Sequence, residues 1–82
     1  MNALADKVVR IATTYLGPAV SIFLDRQTRG HMGGLALADL REEHLPKLLY
    51  WVKTSSELVI KEKSSLLVGQ LMRELKVPAL ER

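Results

Sequence analysis

The residues that could do chemistry in this 82-residue chain are few: two histidines, a handful of serines, twelve basic and nine acidic side chains, and no cysteine. Without cysteine there is no disulfide and no thiolate metal site. A zinc or di-iron centre needs three or four ligands in a fixed geometry. His31 and His44 lie on different stretches of chain, and the nearest cluster, Glu42-Glu43-His44, consists of adjacent residues that diverge around a helix. The Glu-x-x-His spacing of bundle di-iron proteins does not occur. A serine nucleophile fares no better, because no Gly-x-Ser-x-Gly elbow is present. Ser55, Ser56, Ser64 and Ser65 fall within helical patterns, where packing or exposure accounts for them. The residues therefore point to a non-enzymatic protein with no catalytic residue, no metal and no cofactor.

Two constellations remain. The first is Arg29-Gly30-His31-Met32-Gly33-Gly34. Backbone N–H groups of such a loop can cradle an anion, with Arg26, Arg29 and His31 adding positive charge. The loop lacks the Walker spacing and no strand pattern precedes it, so neither nucleotide fingerprint applies; a flexible connector is the plainer reading. The second is apolar. Trp51 and Leu58 are seven residues apart and share a line about 100° from the main apolar stripe of their helix. Leu66 projects nearly opposite Leu71 and Leu75, and Phe23 sits in a helix apolar over most of its circumference. Scattered surface apolar residues are common, but tryptophan is enriched in protein–protein contacts. Trp51, Leu58, Leu66 and Phe23 are accordingly the candidate interface residues.

The elements that must position these groups are helical. Leu4, Ala5, Val8, Val9, Ile11, Ala12, Tyr15 and Leu16 gather on one face of a helix over 3–16, with Asp6, Lys7, Arg10, Thr13 and Thr14 opposite. Gly17 suits the position after a helix end and Pro18 the first position of the next, which predicts a second helix over 18–28. Its broad apolar arc places it at the centre of the fold or in an interface. A loop over 29–36 follows. Asp39 with Glu42 resembles a capping box, and Pro46 disfavours a helical conformation at Leu45. A short turn over 39–45 and a third helix over 46–60 result, with Leu45, Leu48, Leu49, Val52, Val59 and Ile60 on its main face. A fourth helix over 62–75 carries Ser64, Leu67, Val68, Leu71, Met72 and Leu75, and a flexible tail over 76–82 ends the chain. No Gly or Pro separates helices three and four, so a single long rod is the alternative. Period-two alternation and hairpin signals are lacking. The expected fold is all-α, a compact single-domain bundle of about four helices spanning 1–82.

Composition bounds the function. A chain this short buries only about 60% of its unfolded surface, so a partner subunit is a natural supplement to the core. The formal charge of +3 is basic enough to raise nucleic-acid binding, with Arg26, Arg29, Lys53, Lys61 and Lys63 as phosphate contacts. Four acidic residues, however, precede a basic one by four positions: Asp6 and Arg10, Asp25 and Arg29, Glu43 and Lys47, Glu57 and Lys61. Much of the charge is thereby balanced locally. No unbroken apolar run reaches the 18 or so residues of a membrane span. Lys7 and Arg10 precede a fairly apolar stretch to Leu24, but Asp6, Gly17-Pro18 and the lack of a small-residue cleavage site argue against a signal peptide. The expectation is a cytoplasmic protein that does not engage a membrane.

The segment Tyr15-Leu16-Gly17-Pro18-Ala19, closing one helix and opening the next, resembles a joint found in short helical modules of bacterial signalling and regulatory proteins. That resemblance implies an accessory or docking module without its own activity, and it assigns no functional residue. The residues taken together lead to a helical protein-interaction or accessory module that self-associates, with a homodimer favoured and an unknown protein partner allowed. A small nucleic-acid-binding protein is the alternative.

Overall fold

The apolar period of the N-terminal segment becomes helix α1, Ala3–Leu16, which buries Ala5, Val8, Ile11 and Ala12 and leaves Asp6, Arg10, Thr13 and Thr14 exposed. The computed structural model describes residues 2–77. Asn2 caps α1: its Oδ1 accepts the N–H of Ala5 at 2.7 Å, satisfying one of the donors that a helix start leaves free. Gly17 ends the helix with φ 68° and ψ −151°. This is not the left-handed helical region of an ordinary C′ glycine. It is a region essentially closed to any residue with a Cβ, so glycine is required here.

A 3₁₀ turn, Gly17–Ala19, with Pro18 in its first positions, leads into α2, Val20–His31. The helix runs three residues beyond the expected end and takes in Gly30; the connecting loop starts only at Met32, and the left-handed turn is made by Gly33 and Gly34. The breadth of apolar sequence suggested a central or interfacial helix. Within the chain α2 is not central: its buried face is the narrow stripe Val20, Leu24, Gln27 and Thr28, with Ile22 65% exposed. By length and composition the helical run Ala3–His31 is long and apolar enough to cross a membrane. It is not one rod, because Gly17 breaks it into pieces of about 21 and 18 Å at the usual rise per residue, each short of a hydrocarbon core of about 30 Å.

The chain crosses to α3 through a second 3₁₀ turn, Leu37–Asp39, and a third, Glu42–His44. The Asp39–Glu42 box expected from sequence does not form. The reciprocal contact is made two residues later, where His44 Nδ1 accepts the Arg41 N–H at 2.9 Å. Helix α3, Leu45–Ser56, begins one residue before Pro46 with Leu45 fully helical at φ −61°, ψ −44°. The 3₁₀ turn delivers the chain in helical sense, and proline in a first turn forfeits only an N–H that has no partner there. The helix stops at Ser56, not at residue 60; Val59 leaves the expected core face and is 63% exposed. Helix α4, Lys63–Leu75, then follows, so helices three and four are separate.

Lys76 adopts the left-handed conformation (φ 59°) and the Val77 N–H donates to the Met72 carbonyl at 3.0 Å, closing a Schellman-type cap. Of the tail expected over 76–82, Lys76 and Val77 belong to the bundle instead, Val77 packing on the core; residues 78–82 lie outside the described residues.

Each helix packs on its two neighbours in a ring: α1 on α2, α2 on α3, α3 on α4, and α4 back on α1. The enclosed core is aliphatic, with Leu24, Leu40, Leu48, Leu49, Leu67 and Leu71 almost wholly buried. No strand occurs among the described residues. The fold is a small all-α bundle, as the periodicity indicated.

Candidate functional site

Polar side chains stitch the ring together before any surface is left for function. Asn2 Nδ2 donates to the carbonyls of Ala38 and Leu40 at 3.0 and 2.8 Å, tying the start of α1 to the segment before α3. Tyr15 donates its hydroxyl to Gln70 Oε1 at 2.6 Å across α1 and α4. Ser55 donates to Gln27 Oε1 at 2.8 Å across α3 and α2. Ser56 and Ser64, both buried, share a hydrogen bond of 2.6 Å between α3 and α4, and Ser64 also donates to the Lys53 carbonyl at 3.3 Å. Lys7 Nζ reaches the Glu74 carbonyl at 3.1 Å, placing a cation on the negative end of α4. These groups are structural, and no buried side-chain nitrogen or oxygen among the described residues lacks a partner.

The surface that remains divides into two regions. One is the open groove between α2 and the Leu37–Asp39 turn, lined by Ile22, Asp25, Arg26, Arg29, Ala36 and Ala38 among others. Here the candidate anion-binding residues separate. Arg29 Nε is held by both carboxylate oxygens of Asp25 at 2.9 Å. His31 turns away and stacks face to face on Trp51, with ring centroids 3.8 Å apart and planes 5° from parallel. Arg26 lines the groove beside Arg29 as an exposed cation. The three do not converge on one point, and no group of three or more potential metal ligands occurs among the described residues.

The other region is the corner between α3 and α4. The turn over 57–62 carries Leu58, 84% exposed, and Val59, and the first turn of α4 carries Leu66, 61% exposed. Three large aliphatic side chains facing water within nine residues of chain form the most concentrated apolar exposure among the described residues. Of the four residues proposed as interface from sequence, Leu58 and Leu66 are open. Trp51 is half-buried beneath His31, with Tyr50 against its edge at 5.1 Å. Phe23 is half-buried against the core. Because α3 ends at Ser56, Trp51 and Leu58 do not continue one helical line. Val59, beside Leu58 in the turn, and Tyr50, 49% exposed on α3, are further exposed apolar residues that were not among the sequence candidates. Val59 was hidden by a helical period that continues past the true helix end.

The charge pattern also resolves. Of the four expected pairs, only Asp25 and Arg29 close among the described residues. Glu57 pairs backwards with Lys53 at 3.1 Å instead of forwards with Lys61, because the chain beyond Glu57 is no longer helical. Comparison of the chain with protein-family models, characterised proteins and solved structures finds no match.

Proposed function

We propose that this chain is a non-enzymatic, cytoplasmic helical module that self-associates as a homodimer, using the apolar corner between α3 and α4. The observation that supports this reading is the joint exposure of Leu58, Val59 and Leu66 on a domain too small to shelter its whole apolar content. Exposed apolar groups that gather into one patch mark interaction surfaces, and these three fall within nine residues of chain at one helix–helix corner. Tyr50, 49% exposed on α3, adds a further exposed aromatic group, with Trp51 against its edge. The nucleic-acid alternative draws less support, since Arg29 and Lys53, two of its five cations, are neutralised by Asp25 and Glu57.

The test is the solution mass of a Leu58→Glu, Leu66→Glu double variant, measured by light scattering after size exclusion. Both sites are exposed, so the helical content stays unchanged while the dimer dissociates to a monomer. A variant that keeps the wild-type dimer with its fold intact removes this corner from the interface.

A further inference from the structure

The self-association reading does not say how two copies meet, and the turn between α3 and α4 supplies a mode that rests on that reading. We infer that residues 57–62 are a hinge through which α4 exchanges between two copies: the turn straightens, α3 and α4 fuse into one helix, and each α4 packs in the bundle of the other chain.

Four observations carry this. First, the turn is a tightened continuation of α3, with the Leu58 and Val59 N–H groups donating to the Ser55 and Ser56 carbonyls at 3.2 and 3.0 Å in the 3₁₀ pattern. Glu57 and Glu62 have helical dihedral angles, and the Ile60 N–H donates to the Ser56 carbonyl at 2.8 Å in the α-helical pattern. Lys61, at φ 53°, is the only residue between the two helices with a positive φ, a conformation unfavourable for a side chain with a Cβ. Returning Lys61 to right-handed helical dihedral angles relieves that strain and, with the turn relaxed to regular α-helical bonding, lets α3 continue into α4. Second, the connecting residues Glu57-Leu58-Val59-Ile60-Lys61-Glu62 contain no glycine or proline to hold the turn and are mostly sound helix formers. Short hinges under strain favour exchange of an element between identical chains.

Third, the straightened helix from Leu45 to Leu75 would be about 46 Å long, against a longest molecular extent of 29 Å. It cannot lie within one bundle, so a released α4 must find the equivalent site on another copy. That site exists, because the helices on which α4 packs, α1 and α3, both precede the hinge; Leu67, Val68 and Leu71 are buried there as before. Fourth, Leu58 and Val59, exposed in the closed turn, would lie at the midpoint of each long helix. Two such helices related by a two-fold axis cross at their midpoints, which turns the exposed pair into a contact between copies.

The chain has no cysteine, and Ser56 and Ser64 place their Oγ atoms 2.6 Å apart on either side of the hinge, close enough for a disulfide to replace the hydrogen bond. A Ser56→Cys, Ser64→Cys variant is refolded at millimolar concentration, separated into monomer and dimer by size exclusion, oxidised with glutathione disulfide, and run on a non-reducing denaturing gel. The exchange predicts that the dimer fraction stays covalently dimeric while the monomer fraction runs as a single chain. A dimer fraction that collapses to single chains shows closed copies meeting through their surfaces; it overturns the exchange and leaves self-association standing. Absence of any dimer fraction, in this variant and in the unmodified chain, overturns both. Lys61→Gly gives an independent reading if the cysteine variant does not fold. Glycine relieves the closed turn and weakens the straight helix, so the dimer dissociation constant rises by roughly tenfold or more; an unchanged constant contradicts the hinge.

Discussion

Asn2 makes three hydrogen bonds at once, one capping α1 and two holding the carbonyls of Ala38 and Leu40. The cap alone contributes about 1 kcal/mol in comparable helices, and the long-range pair adds to it. Asn2→Ala therefore costs about 2 kcal/mol in urea denaturation, while Asn2→Asp keeps the cap acceptor, loses the two donated bonds and falls between. Equal stability of all three chains would show that the bonds to Ala38 and Leu40 exchange freely with water. Asparagine directly before an apolar helical period is a capping type, but the helix expected from sequence began at Ala3 and gave Asn2 no role. Its second role was not legible, since nothing local encodes a partner 36 or 38 positions along the chain.

At the scale of elements, α1 and α4 could be read from their periods because every apolar position on those stripes found a neighbouring helix. The boundary of α3 could not. Val59 and Ile60 continue the apolar period of Leu48, Leu49 and Val52, and no glycine or proline interrupts it. What ends the helix is tertiary. Ser56 and Ser64 are buried against each other, and α4 folds back on α3 at that point. A hydroxyl pair in an apolar setting stabilises only when both partners are present. Ser64→Ala should cost about 1–2 kcal/mol, and Ser56→Ala, Ser64→Ala less than the sum of the single changes, since the double variant leaves no orphaned hydroxyl. A strictly additive double-mutant cycle in chemical denaturation would mean that the two serines do not cooperate. The same boundary explains the charge pattern: Glu57 sits on the last helical turn and finds Lys53 behind it, because no helix carries Lys61 round to the same side.

At the scale of the whole molecule, four short helices enclose a mainly aliphatic core and leave an apolar corner in water. The fold class was legible because the amphipathic period, the Gly17-Pro18 joint and the absence of strand patterns all pointed the same way. The candidate site was legible in part. Leu58 and Leu66 were identified as lying off the core faces, and they are exposed. Trp51 was identified for the same reason, but its ring is half covered by His31, a contact between α2 and α3 that spacing along one helix does not reveal. The grouping with Arg26 likewise assumed a loop at Arg29 and His31 where α2 in fact continues; two positions apart on a helix, those two side chains point to different sides, and only Arg29 stays beside Arg26 on the groove.

The account stands on self-association, and the most direct test is sedimentation equilibrium of the unmodified chain over a wide range of concentration at physiological salt. It predicts a mass rising from that of one 9.2 kDa chain to twice that value and levelling there, with little dependence on salt because the contact is apolar. A mass fixed at one chain across the whole range would contradict it.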